Sequence, residues 1–99
     1  MIYHITTSLQ WQAQQSGGEF VADSLESEGF IHCSTELQID GVLARYYQGA
    51  RDLLLLEIDE TLLLSECRFE VSTGGELFPH VYGVINKSAI VSVRPIESR

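Results

Sequence analysis

Basic residues are scarce in this 99-residue chain: six Lys and Arg stand against 14 Asp and Glu, giving a net charge of -8, and none precedes Arg45. The six, Arg45, Arg51, Arg68, Lys87, Arg94 and Arg99, are scattered singly. Phosphate backbones are gripped by clustered Lys and Arg, so broad binding to nucleic acid is excluded, while a small anion held by one Arg stays open. Cysteine is equally sparse. Cys33 and Cys67 form no Cys-x-x-Cys pair, and they read as free, reduced thiols. The opening Met1-Ile2-Tyr3-His4-Ile5 lacks a basic leader region, and the longest apolar run, 53–56, is too short to cross a bilayer; the expectation is a cytoplasmic protein with no membrane partner. Gly-rich phosphate loops are absent, which argues against Rossmann and P-loop folds. So are His-x-x-x-His and Glu-x-x-His spacings, so no metal is expected and a metal-dependent hydrolase is the weakest of the enzymatic readings.

What is present suits a single domain over 1–99: 44% of the residues are hydrophobic and 20% charged, enough for one core with a shallow cleft at its edge. Punctuation is local, at Gly17-Gly18, Gly29, Gly49, Gly74-Gly75 and Gly83. Residues 2–6 read as a strand, followed by a capping box from Thr7 to Gln10 and a short helix to about Gln15. Residues 19–22 suit a short strand, 23–28 a polar turn and 30–34 a second strand. A helix capped at Ser34 or Thr35 carries apolar residues at Ile39, Val42, Leu43, Tyr46 and Tyr47, one buried stripe ended by Gly49. The run 53–58 suits a central strand buried on both faces, and 67–71 and 89–93 suit strands. Residues 77–83, with a Pro and a Gly pair before them, read as an irregular loop. Strands and two main helices in mixed order give an α+β class.

Chemistry is sought first at His4, His32 and His80. Strand alternation puts His32 and Ser34 on one face and Ile31 and Cys33 on the other, so His32 does not activate Cys33, and Cys33 reads as a core residue. Thr6 shares a face with His4, and Tyr82 accompanies His80, so imidazole and hydroxyl groups can line one cleft suited to ribose. Glu70 is the carboxylate placed to join them; Glu57 and Asp59 are weaker candidates. The bland alternative makes each His a hydrogen-bonded structural residue and Glu70 an exposed strand carboxylate.

Together, Tyr3-His4-Ile5-Thr6, Gly29-Phe30-Ile31-His32-Cys33-Ser34, Glu57-Ile58-Asp59, Glu70 and Phe78-Pro79-His80-Val81-Tyr82-Gly83 resemble a small bacterial family catalogued only as a domain of unknown function, number nine-five-two. That family in turn resembles the ADP-ribosyltransferase fold, a split, mostly antiparallel sheet with a cleft for a nicotinamide dinucleotide between its halves. The resemblance implies His4 as the ribose holder on the first strand, His32 or Ser34 at the second position, and Glu70 or His80 in place of a late catalytic Glu.

The combined expectation is a compact α+β domain with a nucleotide-like ligand, NAD as a possible substrate and chemistry at ribose. His80 and Glu70 are the catalytic candidates. His4, Thr6, His32, Ser34 and Tyr82 are the binding candidates. The competing class is a non-catalytic small-ligand or protein-interaction module, distinguished by whether a carboxylate reaches the histidines.

Overall fold

The computed structural model describes residues 1–98. In chain order its elements are β1 (Ile2–Thr7), α1 (Ser8–Ala13), β2 (Glu19–Phe20), α2 (Asp23–Glu28), β3 (Ile31–His32), α3 (Ile39–Tyr46), β4 (Leu53–Ile58), β5 (Glu66–Val71), β6 (Leu77–Tyr82), β7 (Ile85–Asn86) and β8 (Ile90–Ile96), with short 3-10 turns between several of them. The strands form three antiparallel sheets, in orders β1-β4-β8, β3-β6-β5 and β2-β7. A single bridge between Tyr3 and Ser34 ties the first to the second. This is an α+β fold with few helices and a sheet split in two.

The leucine run builds the centre of the first sheet. Leu53, Leu55, Leu56 and Ile58 of β4 are all buried, because β4 has a strand on either side and apolar groups over both faces. One face joins Ile2, Phe20, Ile31, Val81 and Ile85 in the main core. The other meets Ile39 and Leu43 of α3, with Tyr3 and Ile5 between. Thr35 opens the turn before α3 by a reciprocal capping box with Gln38. Burying a Leu side chain such as Leu43 stabilises the fold by roughly 1.5–3 kcal/mol.

Four local expectations are corrected. Residues 23–28 form the helix α2 rather than a turn: it starts at Ala22 without a side-chain cap and ends on Gly29 at φ 88, where the left-handed backbone suits glycine. Three α-helices are therefore present among the described residues. The box at Thr7 is half formed, since Thr7 accepts the Gln10 N–H while the Gln10 side chain turns to Thr6 and Asp23. Tyr46 is exposed instead of buried: it is the last residue of α3, and its hydroxyl reaches Thr73 of the β5–β6 turn rather than the core. Finally, 77–83 is mostly strand. Pro79 is tolerated in β6 because it sits beyond the last ladder pair, His32 with His80, where its carbonyl accepts the Cys33 N–H and β3 is already turning toward β1.

Candidate functional site

The split in the sheet makes the cleft. Tyr3 and Ser34 exchange backbone hydrogen bonds of 2.8 and 2.7 Å, and beyond that bridge β1 and β3 part. A cavity of about 540 Å³ lies there, lined by His4, Ile5, His32, Cys33 and Ser34 from the two strands, Val42, Tyr46 and Tyr47 from the α3 side, Phe78 of β6, Ser72 and Thr73 of the β5–β6 turn, and Glu28 at the end of α2. Tyr46 Oη lies 2.6 Å from Thr73 Oγ1, so one hydrogen bond spans from α3 to the hairpin.

His4 is 7% exposed, and its Nδ1 lies 2.6 Å from the His32 carbonyl oxygen. A carbonyl only accepts, so Nδ1 carries the proton and Nε2 is left as a neutral acceptor. Burial pushes the pKa down to about 4, outweighing the carbonyl bond that favours the charged form. His32 is exposed, with Nε2 3.0 Å from Glu28 Oε2. Ser34 is buried between the two strands, and Cys33 packs into the core while its edge lines the cleft; burial pushes its thiol well above the ordinary range, which makes it a poor nucleophile.

A second polar group sits beside the cleft, on the face of β3-β6-β5 that carries His32. Alternation along β6 puts Phe78, His80 and Tyr82 on this face, and the register sets Arg68 opposite His80 and Glu70 opposite Phe78. Glu70 Oε1 accepts from His80 Nδ1 at 2.9 Å and from Tyr82 Oη at 2.5 Å. The Tyr82 hydroxyl, and then His80, hold the Glu70 carboxyl below its usual range, and Glu70 raises the Tyr82 phenol in return. Phe30 stacks on the His80 ring at 4.1 Å, the His32 ring meets it edge-on at 5.3 Å, and the Arg68 guanidinium lies 4.6 Å over Tyr82. His80 is 3% exposed, and its buried Nε2 has no hydrogen-bond partner among the described residues.

The expected residues thus fall into two groups. His4, His32 and Ser34 line the cleft together. His80, Glu70 and Tyr82 form a hydrogen-bonded set behind His32, outside the lining. Thr6 belongs to neither: it is buried and donates to Gln10 Oε1 at 3.0 Å. Glu28, Tyr46, Tyr47, Thr73 and Phe78 were not anticipated. For Glu28 a signal existed, since it stands four residues before His32, but the pair spans a helix end and a turn and so escapes both helix and strand periodicity. Among the described residues, no three His, Cys, Asp or Glu side chains come together as a metal-binding set, and no helix is long and apolar enough to cross a membrane.

Comparison with known proteins adds a family to this geometry. The model for "Protein of unknown function (DUF952)" matches residues 5–93. The chain belongs to the DUF952 family. Among solved structures it is similar to the crystal structure of protein CC0527 from Caulobacter crescentus, a structural-genomics target, with 29% identity and a TM-score of 0.88 over 97% of this chain and 85% of that one. The solution NMR structure of CC0527 agrees, at 29% identity and a TM-score of 0.83, covering 97% and 84% of the two chains. No curated protein matches. Membership carries no activity with it, so the functional argument rests on the cleft.

Proposed function

We propose that the cleft binds the nucleoside part of a nucleotide or NAD-like ligand and acts at its ribose, by transfer or by hydrolysis of the glycosidic bond. The observation that carries this reading is a carboxylate–imidazole pair, Glu28 with His32, in the same cavity as a neutral His4. About 540 Å³ falls within the range of small-molecule sites. Tyr46, Tyr47 and Phe78 offer flat apolar surface for a ring, and His4 Nε2 and the Ser34 hydroxyl offer hydrogen bonds to sugar hydroxyls. Breaking a glycosidic C–N bond leaves the electron pair on nitrogen and positive charge on the sugar, which Glu28 would stabilise. Oxygen of water or of an acceptor hydroxyl then bonds the anomeric carbon, and its proton passes to the Glu28–His32 pair. His80, oriented by Glu70, would hold His32 from behind. The split antiparallel sheet is in keeping with the ADP-ribosyltransferase-like resemblance, which here is an analogy of fold.

A purely binding role is the second reading, and one observation favours it: among the described residues no Lys or Arg lines the cavity, so a pyrophosphate would find no counter-charge from them within it. Two measurements together separate the readings. Thermal shift with adenosine, AMP and NAD is expected to show stabilisation, roughly 2.7 kcal/mol for a ligand at 100 times its Kd. Release of the free base from NAD is then expected to stop in Glu28→Gln and Glu70→Gln while the thermal shift persists. Stabilisation without any base release in the unaltered protein would leave the binding role. No stabilisation by any of the three ligands would remove the nucleoside reading itself.

A further inference from the structure

We infer that β5 is a docking edge for a second copy of this chain, joined by antiparallel strand addition with Phe69 on the two-fold axis. β5 is the outer strand of β3-β6-β5, and among the described residues its backbone bonds only to β6. An edge strand of this kind presents a row of unpaired N–H and C=O groups. Which groups face outward follows from Pro79. Its carbonyl points toward β3, to the Cys33 N–H, so the facing pair Phe69–Pro79 exchanges no hydrogen bonds, and the Phe69 N–H and C=O point away from β6. By the same alternation Cys67 and Val71 point their backbone groups outward too.

The side chains then select one register. Two copies related by a two-fold axis keep each residue on its own face of the joined sheet, so opposed residues must be an even number apart. Centring on Arg68 sets Arg against Arg and Glu66 against Glu70. Centring on Glu70 sets two carboxylates face to face. Centring on Phe69 sets Phe69 against Phe69, Cys67 against Val71, and Arg68 of each copy against Glu70 of the other. Opposite charges across a pair of strands attract and like charges repel, so this register is complementary. Centring on Cys67 also sets Arg68 against Glu66, the carboxylate that Arg68 already holds at 2.9 Å within its own chain, but it overlaps only residues 66–68 of the two strands, whereas centring on Phe69 overlaps 67–71. It also uses the outward backbone groups of Cys67, Phe69 and Val71 together, for about six hydrogen bonds across the joint, with the Arg68–Glu70 pairs at the closely spaced positions about 4.5 Å apart at Cα.

The exposure pattern agrees. Phe69, Val71 and Leu77 are 49%, 69% and 55% exposed, on a hairpin whose other exposed side is charged. Leu77 lies opposite Val71 on the same face, so the three make one apolar strip along the free edge. Phe69 and Val71 would adjoin the second copy's β5, at Phe69 and Cys67. The joint also has a consequence for the polar group beside the cleft: Arg68 of the second copy would lie against Glu70, the carboxylate that holds His80 and Tyr82.

Amide hydrogen exchange of the full chain between micromolar and millimolar concentration tests this, together with sedimentation equilibrium. The expected result is a monomer–dimer equilibrium in which Cys67, Phe69 and Val71 amides gain protection as dimer forms, while Arg68 and Glu70, already bonded to β6, change little. Phe69→Lys, which sets two ammonium groups on the axis, is expected to abolish the dimer with an unchanged circular dichroism spectrum. Arg68→Glu is expected to weaken it at least tenfold, with higher salt narrowing that difference. A monomer throughout the range would overturn the proposal. So would a dimer whose formation leaves the three amides unprotected, or one that is indifferent to both substitutions.

Discussion

The two larger sheets are built from the same antiparallel elements yet spend their faces differently. In β1-β4-β8 the central strand is buried on both faces, and its leucines meet α3 on one side and the main core on the other. In β3-β6-β5 only one face reaches the core, through Ile31, Cys33 and Val81; the other carries His32, His80, Tyr82, Arg68 and Glu70. Stability is therefore concentrated in the first sheet and chemistry in the second. The first sheet has titratable groups as well, with Glu57 taking the Tyr3 hydroxyl at 3.4 Å and lying 3.7 Å from Arg94, but its residue in the cleft with His32 is His4, which stands where the two sheets meet.

That division predicts its own largest breach. Leu56→Ala, at a fully buried site of β4, is expected to cost about 2–5 kcal/mol in urea denaturation. Gln48→Ala, just past α3 and exposed, is expected to stay within about 0.5 kcal/mol. Similar midpoints for the two would erase the contrast.

Next in size is the behaviour of His4 in acid. The native protein takes up a proton at His4 only near about 4, whereas an unfolded chain does so near 6.5, so the unfolded state binds more protons in between. The contribution is fully present above 6.5 and is lost as pH falls from there through about 4, by roughly 3 kcal/mol. Denaturation at several pH values checks it. His4→Gln is expected to flatten this part of the profile.

A smaller effect belongs to the second sheet alone. Tyr82→Phe removes the hydroxyl that does most to hold the Glu70 carboxyl low, so the Glu70 titration followed by NMR is expected to move up toward the ordinary carboxylate value, with the fold unchanged. An unmoved titration would mean that His80 and Arg68 set it without the Tyr82 hydroxyl.

Elements whose side chains alternate or stripe cleanly were legible in the sequence. The first strand, the leucine strand and the buried face of α3 at Ile39 and Leu43 all follow from periodicity, because burial on one side of an element writes a regular pattern. Segments shaped by neighbours were not. The Asp23–Glu28 helix has no side-chain cap and only a half-buried Leu25, so its polar sequence reads as a turn. The β6 strand hides behind Pro79, whose tolerance depends on where β3 leaves it. The site divides in the same way. Local alternation placed His32 and Ser34 away from the main core, but the separation of the cleft from the His80–Glu70–Tyr82 set depends on how two sheets meet. Likewise, Tyr46 and Thr73 approach each other from segments 27 positions apart, and no local pattern records that distance.

The most direct test of the central claim follows the ring resonances of His4 and His32 and the Ser34 amide by NMR while adenosine or NAD is added. Saturable shifts are expected at all three with one common Kd. Saturation that leaves His4 and Ser34 unmoved while other surfaces respond would contradict it.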